Sequence, residues 1–186
     1  MEWYEYGPFT VFDVETTGMH PVRHRIVELA AARIDCDGSI TRFQTLINPR
    51  CTIPSGVIAI HHITDEMVMD APVFHEISPQ FMDMARGSTL VAHNARFDLS
   101  FLQESLARCG QEPWKGKTMD LLRLIRNTHK GLPSYSLQNL RRIFQLQDTF
   151  ENMAAHRAAA DVEWELQVLE IAFRAMMQEA DSAQLL

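Results

Sequence analysis

No stretch of this chain stays apolar for the roughly 18–20 residues that a membrane span requires. The first residues, Met1 to Tyr6, lack the basic start and apolar stretch of a secretory signal. A cytoplasmic protein is therefore expected. Cysteine is scarce: Cys36, Cys51 and Cys109 are far apart and odd in number. They make neither a metal-ligand pair nor a disulfide framework, and are expected to be small half-buried side chains. There is no internal repeat, no low-complexity segment and no linker rich in proline, glycine and serine. Residues 1–186 are accordingly expected to form one domain, with its core at about 9–175. Basic charge is also in short supply. A formal net charge of −7 argues against a protein that coats nucleic acid electrostatically. It does not exclude an enzyme that grips only a strand end, and four carboxylates facing cations would account for more than half of that excess.

What is present is ordinary for a globular protein: 46% hydrophobic and 22% charged residues. Phe9 to Glu15 (FTVFDVE) is rich in aromatic and β-branched residues and reads as a buried strand. Arg25 to Asp35 fits strand or helix on propensity. The Asp37-Gly38 turn signal before Ile40–Ile47 favours a hairpin. Thr64 can cap a short helix, and Pro72 can start another that runs to about Arg86 before Gly87. Ser88–His93 reads as a short buried strand. Leu99, Leu102, Leu106 and Cys109 form one stripe of a helix that stops at Gly110. Helices are predicted near Asp120–Asn127 and Ser136–Phe144, and a long last one carries Val162, Leu166, Leu169, Phe173 and Met176 on one face. Strands first, then strand alternating with helix, imply an α/β domain with a mixed sheet.

Three short segments carry chemistry. In Asp13-Val14-Glu15-Thr16-Thr17-Gly18, strand alternation puts Asp13 and Glu15 on one face, with Cα atoms about 6.6 Å apart, while Phe12 and Val14 point into a core. Paired carboxylates on a buried strand repel and lose hydration unless cations or protons are taken up. Gly18 lets the backbone approach a ligand closely. In His93-Asn94-Ala95-Arg96-Phe97-Asp98, Asn94 is a natural helix cap and Asp98 falls in the first turn, at the carboxyl end of a strand. In His156-Arg157-Ala158-Ala159-Ala160-Asp161, three alanines allow the last helix to lie close to the sheet and bring Asp161 inward. Taken singly, each segment has a plain structural explanation: a solvated sheet end, a helix cap, a surface histidine. Taken together, four carboxylates and one histidine make the set that two-metal phosphodiester hydrolysis needs. Hard divalent cations prefer oxygen ligands, and a histidine near neutrality can accept a proton from water.

The order and context of these segments resemble the DnaQ-like DEDDh exonucleases, from about Thr10 to Ala172. Ile60-His61-His62-Ile63-Thr64 is similar to the family's His-Gly-Ile-Thr segment, and Tyr135-Ser136-Leu137 to the stretch before its next helix. The resemblance implies a ribonuclease H-like mixed β-sheet flanked by helices on both faces. It implies two Mg²⁺ or Mn²⁺ ions held by Asp13, Glu15, Asp98 and Asp161, with Asp13 bridging and His156 as general base. Thr16, Thr17, Gly18, His61, Asn94 and Phe97 fall at positions that line the cleft for the terminal nucleotide. His62 departs from the pattern, standing where the family commonly has glycine.

The activity so implied is 3′–5′ removal of nucleoside 5′-monophosphates from a nucleic-acid 3′ end, DNA ahead of RNA, in replication or repair. Alternatives are an oligoribonuclease and a non-catalytic module bound to a polymerase or clamp. The family's polymerase-associated members often carry a C-terminal docking extension, and none is expected in a chain that ends soon after its last helix. Arg23, His24, Arg25, Arg96 and Arg157 are candidates for steering phosphates, with surface solvation as the competing explanation. Trp3, Trp114 and Trp164 could stack on bases, although the helical context of Trp164 predicts core packing.

Overall fold

The computed structural model describes residues 1–148 and 157–184. Five strands form one sheet in the order β3-β2-β1-β4-β5. Strands β1 (Phe9–Thr16), β2 (Ile26–Ile34) and β3 (Ile40–Leu46) make an antiparallel meander. Strands β4 (Thr89–Ala92) and β5 (Thr118–Asp120) run parallel to β1 on its other side. The predicted hairpin is present. Gly38 takes φ 82°, a left-handed turn position, and the Asp37 carboxylate accepts the Ser39 N–H at 2.9 Å. The three-residue β5 was not anticipated, being too short to leave an alternation pattern.

The alanines that made β2 ambiguous have a packing role. Ala30 and Ala32 face the layer that contains the last helix, and Ala31 faces the opposite layer. Helices α3 (Phe74–Ala85) and α4 (Arg96–Arg108) cover one face, where Phe12, Val14, Leu29, Phe81 and Phe101 interlock. Helices α5 (Leu121–Thr128), α6 (Leu137–Phe144) and α7 (Ala158–Gln184) cover the other. Two short helices, α1 (Ser55–His61) and α2 (Asp65–Val68), lie between β3 and α3, and the Thr64 side chain caps α2 as expected. The fold is thus the α/β mixed sheet with helices on both faces.

Several local expectations are corrected. Helix α3 begins at Phe74, two residues beyond Pro72. Asn94 does not cap α4: it takes φ 65° in the strand-to-helix turn, and Ala95 occupies the cap position. Cys36 and Cys51 are exposed rather than half-buried because both fall in connections flanking β3; only Cys109 is intermediate. Trp3, 4% exposed, belongs to the core and is removed as a base-stacking platform, whereas Trp164, 0% exposed, is core as its helical context predicted. No helix among the described residues is long and apolar enough to cross a membrane.

Candidate active site

The alternation of β1 does what its sequence demands. Phe12 and Val14 are buried under α3 and α4, while Asp13 and Glu15 project half-buried from the other face. Helix α7 reaches that face because its first turn is small: Ala158 and Ala160 are 0% and 3% exposed against the sheet. Asp161 is thereby carried to β1. One carboxylate oxygen each from Asp13, Glu15 and Asp161 lie within 4.8 Å of one another. Asp98 enters from the first turn of α4. Pairing between β1 and β4 ends at Val11, which leaves the Val14 N–H unclaimed by the sheet. Asp98 Oδ1 accepts it at 3.2 Å. Three segments distant in sequence therefore place four carboxylates around the end of β1, where the register with β2 shifts between Glu15 and Thr16.

The electrostatic consequence is large. Burial, then the neighbouring Asp98, raises Asp13 well above the usual carboxylate range. Burial, then Asp161, pushes Glu15 up to about 9. Burial likewise raises Asp98 to about 8, against the opposing effect of the Val14 N–H. Without cations, the cluster retains protons at neutral pH.

Thr16, Thr17, Gly18 and His61 follow or contact the end of β1, and Asn94 and Phe97 flank the turn into α4. The Thr16 hydroxyl donates to the Gly18 carbonyl at 2.7 Å, and Thr17 exchanges bonds with Arg25, its N–H reaching the Arg25 carbonyl at 2.8 Å. Gly18 has a steric reason within the chain itself, since a Cβ there would lie 2.5 Å from His24 Nε2. His61 is 2% exposed. Its Nδ1 accepts the Ile63 N–H, so Nε2 carries the hydrogen and donates to the Thr16 carbonyl at 3.2 Å. Burial lowers its pKa. His62 takes φ 61°, the left-handed conformation that glycine adopts without strain. That accounts for glycine at the matching position of the resembled family. The half-buried Phe97 packs its ring against Phe101, centroids 4.9 Å apart, and Asn94 is exposed.

Comparison with known proteins bears on this site directly. A family model described as exonuclease (RNase_T) matches residues 10–169. The chain belongs to the exonuclease family. It is 42% identical over 160 residues to the DNA polymerase III epsilon subunit of Treponema pallidum, covering 85% of this chain and 73% of that protein. It is 34% identical over 164 residues to the PolC-type DNA polymerase III of Caldanaerobacter subterraneus, covering 88% of this chain but only 12% of the relative. Among solved structures, exonuclease X in complex with 5′-overhanging duplex DNA superposes with a TM-score of 0.71 at 27% identity, covering 92% of this chain and 93% of that one. Escherichia coli exonuclease I bound to an oligonucleotide gives 0.78 at 20% identity over 94% of this chain and 42% of its own, a likeness of fold. The DnaQ-like resemblance is thus shown, and the protein is a 3′–5′ exonuclease, a hydrolase of phosphodiester bonds.

Within this exonuclease two further acidic residues matter that the sequence reading passed over. Glu165 lies one helical turn after Asp161 and is 1% exposed. It takes the His93 backbone N–H, and its Oε2 has no hydrogen-bond partner among the described residues. Burial, then repulsion from Asp98 and Asp161, raises its pKa well above the ordinary value. The spacing of four from Asp161 was the available signal. Glu28, opposite Glu15 in the β1–β2 register and 0% exposed, holds the start of α7. It accepts Arg157 Nε at 3.1 Å and NH2 at 2.9 Å, the Ala158 N–H at 3.1 Å and Gln44 Nε2 at 3.0 Å. Arg157 is therefore a structural ion-pair partner rather than a free phosphate donor, whereas Arg96 is exposed. His156 lies outside the described residues.

Proposed function

We propose that this exonuclease removes single nucleotides from the 3′ end of DNA, releasing nucleoside 5′-monophosphates. Asp13, Glu15, Asp98 and Asp161 would hold two divalent cations, Mg²⁺ or Mn²⁺, and His156 would act as general base. The observation that carries this reading is the convergence of Asp13, Glu15 and Asp161 oxygens within 4.8 Å, beside an Asp98 tied to the same strand. The donor set fits the ions: it is all oxygen, as hard cations require, and the burial and mutual repulsion that raise its carboxyl groups are what a bound cation would relieve. When bound, such a pair supplies Lewis-acid activation of water and charge stabilisation at the leaving 3′-oxygen.

The chain's own residues do the rest. His156 takes a proton from the attacking water as its oxygen bonds to phosphorus, the bond from phosphorus to the 3′-oxygen breaks, and that oxygen takes up a proton from solvent. The shortened strand keeps a 3′-hydroxyl. Gly18, the neutral His61 and Phe97 border the terminal nucleotide, and Thr16 and Thr17 keep that border in shape through their bonds to Gly18 and Arg25. DNA is favoured over RNA because the 42%-identical relative is a DNA polymerase subunit and the 27%-identical structure holds duplex DNA. A polymerase partner and a cytoplasmic setting are part of the same proposal, supported by the likeness to a DNA polymerase III subunit, and so is a single domain over residues 1–186, supported by the one sheet on which the described helices pack.

The test is a panel of 3′- and 5′-labelled DNA and RNA strands, with and without EDTA, on wild type, Asp13→Ala and His156→Ala. Wild type should shorten strands from the 3′ end and stop in EDTA. Asp13→Ala should lose both metal binding and turnover. His156→Ala should keep metal and strand binding while turnover falls about 10²- to 10⁴-fold. Near wild-type turnover by His156→Ala at neutral pH would remove His156 from its role.

A further inference from the structure

A chain of net charge −7, with a floor of carboxylates where the strand must end, repels its own substrate unless positive charge is concentrated nearby. One cavity of about 190 Å³ meets that need. Arg25, Arg50, Arg108 and His75 line it, and no carboxylate does. The cavity lies at the site-bearing end of the sheet, on the side covered by α3 and α4. Ile26, which also lines it, pairs with Thr16, and the carbonyl of Arg25 holds the Thr17 N–H. The cavity therefore shares a wall with the loop that carries Thr17 and Gly18.

Arg108 makes that wall rigid. Its NH2 donates to the Pro21 and Val22 carbonyls at 2.6 Å each, and its NH1 to the His24 carbonyl at 3.1 Å. Its guanidinium also meets Glu104 at 3.2 Å, outside the cavity lining. Burial, then the nearby charge of Arg25, lowers its pKa, a like-charge repulsion that an anion between the two would relieve. Arg50 is a free donor among the described residues. It is exposed, and its side chain makes no ion pair or hydrogen bond among the described residues, while its backbone is fixed at φ 56° by an N–H bond to Asn48 Oδ1. Asp98 and Arg108 stand in the first and last turns of α4, about 15 Å apart at 1.5 Å per residue. That is about four nucleotides of a stacked strand at 3.4 Å each.

We propose that the Arg25–Arg50–Arg108 pocket binds a backbone phosphate of the nucleic acid upstream of the end being cleaved. The inference rests on the nuclease reading and adds where the strand is held. The phosphate comes either from the cleaved strand or from its complement, and the chemistry of recognition is the same.

The experiment uses Arg50→Asn, because asparagine tolerates the left-handed backbone, with Arg50→Lys as the charge-preserving comparison. Fluorescence anisotropy of a labelled 20-residue DNA strand and of a labelled recessed duplex, both in EDTA, reads binding without turnover. The KM is then measured with Mg²⁺ on the 20-residue strand, on a recessed duplex and on a trinucleotide. For Arg50→Asn, Kd and KM on the long single strand should rise about 5-fold. The logarithmic salt dependence should become shallower by about 0.7, the loss of one phosphate contact. Arg50→Lys should restore most of both, and the trinucleotide, too short to reach the pocket, should show no change in KM. A change confined to the duplex assigns the pocket to the complementary strand. Unchanged Kd and salt slope on single strand and duplex alike overturn the proposal, and so does an equal rise in KM on the trinucleotide. If wild type cleaves nothing, the nuclease reading fails, while the anisotropy arm still decides whether the pocket binds the strand.

Discussion

Replacing Glu15 by glutamine removes one ionisable group from the carboxylate floor while keeping its shape. Its pKa rises from 4.5 to about 9 in the fold, burial being the main cause and Asp161 the next. Between those values the folded chain holds a proton that the unfolded chain has released. Stability of the metal-free protein must then fall as pH rises, because the folded state binds the extra proton. The slope is about 1.4 kcal/mol per pH unit for one such proton. A pair of charges at the outer limit of 4.8 Å repels by about 3.5 kcal/mol at an effective dielectric of 20, so repulsion from Asp161 adds to the burial that dominates a shift worth about 6 kcal/mol. At about 2–4 °C per kcal/mol for a chain of this length, the wild-type Tm in EDTA should drop about 3–6 °C more per pH unit than that of Glu15→Gln. The assay is a series of thermal melts in EDTA from about pH 6 to about pH 8.5, repeated with Mg²⁺. The variant should overtake wild type at the alkaline end in EDTA, and Mg²⁺ should stabilise wild type more than the variant. Parallel lines of Tm against pH in EDTA would refute the reasoning.

Other perturbations separate structure from chemistry. Glu28→Ala strips the buried partner from Arg157 and the N–H of Ala158. It should destabilise by about 3 kcal/mol, read by urea denaturation. His62→Gly relieves a left-handed backbone at φ 61° and should stabilise by about 0.5–1 kcal/mol net of the added chain entropy; a lower Tm would contradict this. Phe12→Ala, beneath the carboxylates at 0% exposure, should lose about 3–5 kcal/mol in the same urea assay. Asp161→Asn should abolish the Mg²⁺-dependent rise in Tm together with turnover, and retention of that rise would remove Asp161 from the ion site.

Much of the fold was legible in local patterns. The aromatic and β-branched run of β1, the Asp37-Gly38 turn and the 3-4-3 leucine spacing of α4 each left a periodicity or turn signal. Strand β5 did not, because three residues cannot show a period, and the role of Asn94 was misjudged because capping residues also tolerate the left-handed turn that it adopts. The alternation that sends Asp13 and Glu15 to one face is a property of the chain alone. So is the run of small residues that lets α7 approach the sheet, and both were readable before any coordinates.

What the linear order cannot contain is which side chains become neighbours across gaps of tens of residues. Asp98 meets Val14 only because β4 stops short of β1's end and frees one N–H. Glu28 pairs with Arg157 only because the β1–β2 register puts it opposite Glu15. Glu165 becomes a buried carboxyl only because α7 lies over the sheet, and the three arginines of the basic pocket meet only where β2, the loop after β3 and α4 converge. Local sequence determines what each segment offers. Packing decides which partners it finds, because burial and charge depend on distances in space and not on separation along the chain.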